Sequence, residues 1–375
     1  MAEMYDAIVI GLGVMGSATL RTLAGRGLRV LGLDRHDPPH SMGSSHGRAR
    51  MIREAYFEHP LYVPLVRRAY ELWEALEEES GERLLYITRG LSIGPRGCEM
   101  LNGALESCRR HGIEAGHMDA PELKRAFPAI ECDRETVAVL EPRAGYLLPG
   151  PCVAALLDSA RREGAEIRTE EARAWRGDGA EAQVETSAGE YRTRSLVLAA
   201  GAWMSSLLTD LRLSLTVERV LQLSFAPARP EECTPAALPV FIWEYEPGGF
   251  WYGFPAIDGA VKVGLHGGQP VADPDAASRE VTEADAEGAR GLVRKHLPAA
   301  YGTLVEADVC FYTRTPDGHF IIDRHPDHDR VVIVSACSGH GFKFAPVIGE
   351  IVADLLTGNA GAFDLRPFSL ARLGR

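Results

Sequence analysis

Three features of the 375-residue sequence predict an α/β fold, α+β over the whole chain: a Rossmann-like dinucleotide-binding unit with a second, mainly antiparallel-sheet unit inserted into it. First, a β-rich run at 7–10 stops at Gly11, a helix pattern fills 15–26, and a second β run spans 28–34. That is strand, glycine turn, helix, strand. Second, continuous apolar runs of the kind buried parallel strands show recur far along the chain, at 195–200 and 331–335. Third, alternation around the turn Pro247-Gly248-Gly249 fills 217–266, the pattern of antiparallel strands.

The remaining elements follow in order. Residues 35–50 read as a loop rich in Pro, Gly, Ser and His, and 62–79 as a long amphipathic helix. Its acidic end, Glu77-Glu78-Glu79, reads as a solvated helix terminus. Residues 150–163 form a helix pattern with Val153, Leu156, Leu157 and Ala160 as its apolar positions. A strand at 165–168 and an alternating run at 182–186 come next. The polar stretch 270–289 reads as a surface segment entering a helix near Leu292. Residues 338–341 make a glycine turn after the strand at 331–335, and 345–356 an apolar helix. The expected division is 1–85, 150–215 and 305–375 for the dinucleotide-binding domain, with 86–149 and 216–304 for the substrate domain.

Composition bounds the function. Apolar residues make up 46% and charged residues 25%, enough for a large core and unlike disordered or collagenous chains. Lys plus Arg is 40 against 52 for Asp plus Glu, a balance of −12, so nucleic acid is not an expected partner. Seven cysteines without a C-x-x-C fit free thiols in a reducing compartment, not a disulfide framework or a zinc ribbon. The opening Met1-Ala2-Glu3-Met4-Tyr5-Asp6 is acidic where a signal peptide is basic, and no apolar run approaches a membrane span. The expectation is a cytoplasmic protein without membrane attachment.

Gly11-Leu12-Gly13-Val14-Met15-Gly16 is G-x-G-x-x-G between a strand and a helix. Gly11 permits the turn, Gly13 admits a pyrophosphate to the backbone, and Gly16 lets helix and strand close up. The N–H groups around Val14 and Met15 then face phosphate. Asp34 closes the second strand, where an acid accepts hydrogen bonds from ribose; the adjacent Arg35 leaves a 2′-phosphate open. The motif does not separate NAD from FAD. Gly43-Ser44-Ser45-His46-Gly47 matches G-x-S-x-G, yet a loop precedes it instead of a strand. A polar loop against a ligand is therefore expected in preference to a nucleophile elbow.

His319, Asp323, His325, Asp327, His328 and Asp329 are broken up by Pro316, Gly318 and Pro326, which favours a polar surface loop; no metal is expected. Ser338-Gly339-His340-Gly341-Phe342-Lys343 is a second strand–glycine–helix device. It suits FAD, whose ring a late segment can cover. Lys343 beside Phe342 and Phe344 is costly to bury unless an anion meets it. Cys310 alone reads as a buried structural thiol, and Lys262 as either a solvent-facing or a buried cation in an apolar strand. Trp243, Tyr245, Phe250 and Trp251 indicate an aromatic wall.

Together these segments resemble the monomeric sarcosine oxidase and N-methyltryptophan oxidase family, FAD-dependent amine oxidases of the D-amino-acid-oxidase-like superfamily. The matching pieces are 11–16, 37–47, Arg50 with Ile52-Arg53, Tyr252-Gly253-Phe254-Pro255, Lys262 with His266, Cys310-Phe311-Tyr312-Thr313, 320–323 and 338–344. They keep their order across nearly the whole chain. The resemblance implies FAD attached through Cys310, with Ser44, Ser45, His46 and Arg50 against the flavin and Gly339, His340 and Gly341 in the late cofactor segment. It implies that Arg53 and Lys343 clamp the substrate carboxylate, that Tyr252 and Tyr312 line the pocket, and that His266 sits near the amine. Lys262 would assist reoxidation by dioxygen.

The implied reaction is oxidation of an N-methyl or cyclic secondary amino acid by a monomer, yielding an imine or aldehyde and hydrogen peroxide. The sequence departs from the sarcosine type at Ser45, where a second His is usual, and at Arg48-Ala49, where Asp-Thr is usual. Arg48 would either alter charge preference beside the flavin loop or point to solvent. Two alternatives stay open at this point: a non-covalent FAD dehydrogenase or oxidase of primary amino acids, and an NAD(P)-dependent dehydrogenase.

Overall fold

The computed structural model describes residues 4–177 and 179–374, so Met1, Ala2 and Glu3 of the N-terminal stretch lie outside the described residues. The strand Met4–Ile10 runs parallel between Glu190–Leu198 and Val30–Asp34. Glu166–Thr169 extends the parallel sheet beyond Val30–Asp34, and His328–Ser335 pairs in parallel with residues 196–198. Ala7, Ile8, Val9, Leu31 and Val197 have no exposed surface, as expected of strands covered on both faces. The helices Val14–Gly25, Pro149–Arg162 and Ala345–Thr357 pack together over this sheet. Gly349 permits one close crossing: a Cβ there would lie 2.7 Å from Ala18 O.

A nine-stranded sheet follows the order Gln269–Val271, Thr216–Phe225, Ala260–Leu265, Gly249–Ile257, Val240–Glu246, Gly90–Pro95, Thr136–Glu141, Gly116–Asp119. Leu304–Arg314 pairs with Thr216–Phe225 off this path. Pairing is antiparallel except where Val240–Glu246 runs parallel to Gly90–Pro95. Residues 305–314, grouped by sequence with the dinucleotide unit, thus hydrogen-bond into the larger sheet. A third sheet of Arg50–Ile52, Gly145–Leu147 and Leu85–Ile87 joins segments that the sequence division separates.

Three other expectations need correction. The helix expected near Leu292 already begins at Glu283, because Thr282 and Asp285 form a capping box. Thr282 Oγ1 accepts the Asp285 N–H, and the Asp285 carboxylate accepts the Thr282 N–H. Trp243 and Trp251 pack against His296 at the end of that helix, in the core of the larger sheet, and do not line the pocket. The reason is the two-residue period of a strand, which sends Trp251 and its neighbour Tyr252 to opposite faces. The 319–329 region is mostly a hairpin, Ile321–His325 with His328–Ser335, and His325 is buried against Trp175. Among the described residues no group of three His, Cys, Asp or Glu side chains is arranged to hold a metal, and no helix is long and apolar enough to cross a membrane.

Candidate active site

The first turn has backbone geometry that glycine alone adopts without strain. Gly11 has φ +90°, and a Cβ on it would lie 2.5 Å from Ala199 O. A Cβ on Gly16 would lie 1.7 Å from Gly11 O. The helix starting at Val14 has no acidic residue in its first turn, so its positive end is left for an outside anion. Gly11, Gly13, Val14, Met15, Asp34 and Arg35 all line one cavity, while Gly16 stands behind Gly11. The turn fits a dinucleotide pyrophosphate.

Asp34 and Arg35 are already engaged. Asp34 accepts the Leu12 N–H at 2.7 Å and the His36 N–H at 3.0 Å, and lies 3.2 Å from His40 Nε2. Burial alone would raise its pKa; the hydrogen bonds from His40 and the backbone more than reverse that and hold it below the usual range. Arg35 meets both Asp275 oxygens at 3.0 Å and covers the Trp203 ring. The loop 43–47 lies across the same helix end. Val14 N–H donates to Ser45 Oγ at 3.0 Å, and Ser44 Oγ donates to Phe311 O at 2.7 Å. Both hydroxyls organise the loop, which is not the arrangement of a serine nucleophile.

The cavity continues along one face of the nine-stranded sheet. Val220 and Gln222, Tyr252 and Phe254, Cys310 and Tyr312 line it in pairs two residues apart, with Lys262 among them. Arg50 Nη1 donates to Gln222 Oε1 at 2.9 Å, and Arg50 Nη2 lies 3.5 Å from Cys310 Sγ. Lys262 is 2% exposed and donates to Ala49 O at 2.6 Å, so of the two readings the buried one holds. Burial, aided by the Arg50 charge, pushes its pKa well down against the opposing effect of Cys310, Asp308 and Glu306. Gln222 Nε2 is buried without a hydrogen-bond partner, the kind of orphan that a heterocyclic ligand satisfies. His46 is buried but is not part of the cavity wall, and burial brings its pKa down to about 3. Arg48 turns away from the cavity, pairing with Glu306 at 2.5 Å and Ile257 O at 3.1 Å.

Elsewhere on the wall stand Arg53, Glu58, His266, His340 and Lys343. Arg53 Nη2 meets the Glu58 carboxylate at 2.8 and 2.7 Å, and Nη1 donates to Ala55 O at 2.8 Å. Burial works to raise the Glu58 pKa, but nearby positive charge, Arg53 foremost, brings it to about 2. His340 Nε2 faces Gly318 O at 3.1 Å, an acceptor only, which assigns the proton to Nε2. His340 Nδ1 then accepts from the Tyr56 hydroxyl at 2.7 Å, and the Tyr56 oxygen accepts from Lys343 Nζ at 3.3 Å. Lys343 also donates to His340 O at 2.6 Å. Burial, helped by the Arg53 charge, lowers the Lys343 pKa to about 7. His266 is lowered to about 4 by burial and then by Arg314. Gly339, φ +82°, brings the backbone against Tyr312 and His266, where a Cβ would lie 2.7 and 2.8 Å away.

The residues named from sequence therefore meet in one cavity, apart from Gly16 and His46. Sequence reading missed Gln222, Tyr56 and Glu58. Gln222 carried a usable signal, a polar residue inside the apolar run Val220-Leu221-Gln222-Leu223. Tyr56 and Glu58 sit in an irregular loop with no periodicity to expose them.

The family model described as FAD dependent oxidoreductase (DAO) matches residues 6–355. A protein named monomeric sarcosine oxidase from Streptomyces avermitilis is 40% identical over 387 residues, covering 99% of this chain and 100% of that protein. One named N-methyl-L-tryptophan oxidase from Salmonella dublin is 34% identical over 374 residues, with coverages of 99% and 100%. The solved open form of NikD, described as an unusual amino acid oxidase essential for nikkomycin biosynthesis, superposes with a TM-score of 0.86 at 26% identity, covering 98% of this chain and 97% of that one.

Proposed function

This chain belongs to the DAO family of FAD-dependent oxidoreductases, and on that footing we propose that it oxidises N-methyl or cyclic secondary amino acids with dioxygen as acceptor. Secondary amine and dioxygen give imine and hydrogen peroxide; water then hydrolyses the imine, releasing formaldehyde where an N-methyl carbon was oxidised. The observation that carries the reading is one continuous cavity lined both by the glycine turn and by Arg53, Lys343, Lys262 and Cys310. The nicotinamide alternative gives way to the match over residues 6–355 with a family described as FAD dependent.

Bound FAD supplies the two-electron oxidation and returns the electrons to dioxygen. Gly11, Gly13, Val14 and Met15 would hold the pyrophosphate, Asp34 and Arg35 the adenosine end, and Ser44, Ser45, Arg50 and 339–341 the flavin side. Gln222 Nε2 would donate to the ring. Cys310 would carry the cofactor covalently, with the Arg50 guanidinium 3.5 Å from its sulfur. Arg53 would hold the substrate carboxylate by its charge and by the N–H groups not spent on Glu58 and Ala55 O, and Lys343 through a point charge. Tyr252 and Tyr312 would shape the space around the amine. Neutral His266 adds no positive charge there, which favours the amine as free base. Lys262 would stabilise negative charge as dioxygen accepts electrons. His46 would act on the flavin only through its neighbours.

The same proposal divides the labour between the two large sheets: the parallel one for the adenosine and pyrophosphate end, the nine-stranded one for the flavin and the space around the amine. It takes the enzyme as a cytoplasmic monomer whose partners are an amino acid and dioxygen, with no nucleic acid. The test is a peroxide assay of the FAD-loaded protein across sarcosine, N-methyl aromatic amino acids, proline and pipecolate. Peroxide with at least one of them is expected; none with any would overturn the reading.

A further inference from the structure

Glu141 ends the strand Thr136–Glu141 and is 3% exposed, yet the proposed chemistry makes no use of it. Both carboxylate oxygens are spent on backbone. Oε1 accepts the Glu54 N–H at 2.5 Å, and Oε2 accepts the Ala55 N–H at 2.9 Å. These are the two residues that follow Arg53. Ala55 in turn supplies the carbonyl that receives Arg53 Nη1 at 2.8 Å. A side chain on the nine-stranded sheet thereby grips the loop that carries the proposed carboxylate clamp.

The neighbouring acid does a different job. Glu54 accepts from Arg67 Nε at 2.9 Å and from Arg143 Nη1 at 3.0 Å, both partners half exposed, and so ties the loop to the outside. Among the described residues no side-chain cation pairs with Glu141; its hydrogen bonds go to the loop backbone. Burial raises its pKa to about 7 even though the two N–H groups and Arg53 pull the other way. Burying an acid at that cost is unnecessary for packing, where an apolar side chain would serve.

We propose that Glu141 is a positioning residue for substrate recognition: by holding the Glu54–Ala55 backbone it sets the direction in which Arg53 presents its guanidinium to a substrate carboxylate. The inference rests on the reading that Arg53 binds that carboxylate. Glutamine at 141 keeps the shape but offers one acceptor and one NH₂, so one of the two loop N–H groups faces a donor. The loop must shift to relieve it, carrying the Ala55 carbonyl along.

The experiment compares FAD-loaded wild type, E141Q and R53M on an N-methyl amino acid and on its carboxamide, which lacks the negative charge. In E141Q the KM for the acid is expected to rise about tenfold, the effect of one mispaired buried N–H. Its kcat is expected to stay within about twofold, and the KM for the amide to stay unchanged. A wild-type KM in E141Q alongside a raised KM in R53M overturns the inference. So does an equal rise for acid and amide, which reports general damage. An unchanged KM in R53M overturns the clamp reading itself, and the inference falls with it. Where E141Q fails to fold, E141D takes its place with the same outcomes, since it keeps the charge but withdraws the carboxylate by one methylene.

Discussion

Arg50 Nη2 stands 3.5 Å from Cys310 Sγ, while Nη1 of the same guanidinium holds Gln222 Oε1 at 2.9 Å. One arginine thus bridges the thiol proposed to carry the cofactor and the orphaned amide on the adjacent strand. Thr216–Phe225 and Leu304–Arg314 bring them together, with Val220 opposite Cys310.

The proposed attachment through Cys310 has a direct test. After acid denaturation of the FAD-loaded protein, yellow colour is expected in the precipitate. The Cys310→Ser variant is expected to release its FAD to the supernatant. Arg50→Met is expected to lower the attached fraction, because the Cys310 sulfur loses the guanidinium that stands 3.5 Å from it. Release of all flavin from wild type would remove Cys310 from this role.

Lys262→Met separates the two half-reactions. Anaerobic reduction by substrate is expected at the wild-type rate, and reoxidation by dioxygen slowed on the order of a hundredfold, the usual loss when a single charge-stabilising donor is removed. Stopped-flow absorbance reads both steps. Unchanged reoxidation would show that the buried lysine only anchors Ala49 O.

Lys343 makes carboxylate affinity depend on pH. Its pKa of about 7 leaves it charged below neutrality and neutral above it. If a simple carboxylate such as acetate binds mainly the charged form, its affinity falls about tenfold from pH 6 to pH 8, in proportion to the competent fraction. Acetate has no amine to confound the profile. Lys343→Met is expected to flatten it, and a flat profile in wild type would contradict the lowered pKa.

Glu58 has the opposite sign. Its folded pKa of about 2 lies below the ordinary value of 4.5, so its pairing with Arg53 stabilises the fold above that value and is lost as pH falls towards 2. Glu58→Gln is expected to cost about 2 kcal/mol at pH 7 and to lose less Tm than wild type on acidification. It also frees Arg53, so acetate is expected to bind more tightly. Parallel Tm curves for the two proteins would contradict the pairing.

The parallel sheet was legible because its signals are local: a glycine turn, a helix of small residues, and uninterrupted apolar strands. The cavity wall was legible in part: Lys262 breaks an apolar strand pattern, whereas Cys310 alone read as a structural thiol and gained a role only from the family resemblance. Legibility failed where long-range pairing decides. Nothing near residues 304–314 states that they pair with 216–225, and the side of the strand that Trp251 faces depends on a helix more than thirty residues away in sequence. Glu58 and Tyr56 escaped because a loop has no period to violate. The role of Arg48 was undecidable until Glu306 was found beside it.

The most direct measurement is peroxide release in air from an N-methyl amino acid and from its unmethylated parent, side by side. The account predicts turnover of the N-methyl compound with one peroxide for each formaldehyde, and little from the parent. Equal or faster turnover of the primary amine, or reduction of an artificial dye without peroxide, would contradict it.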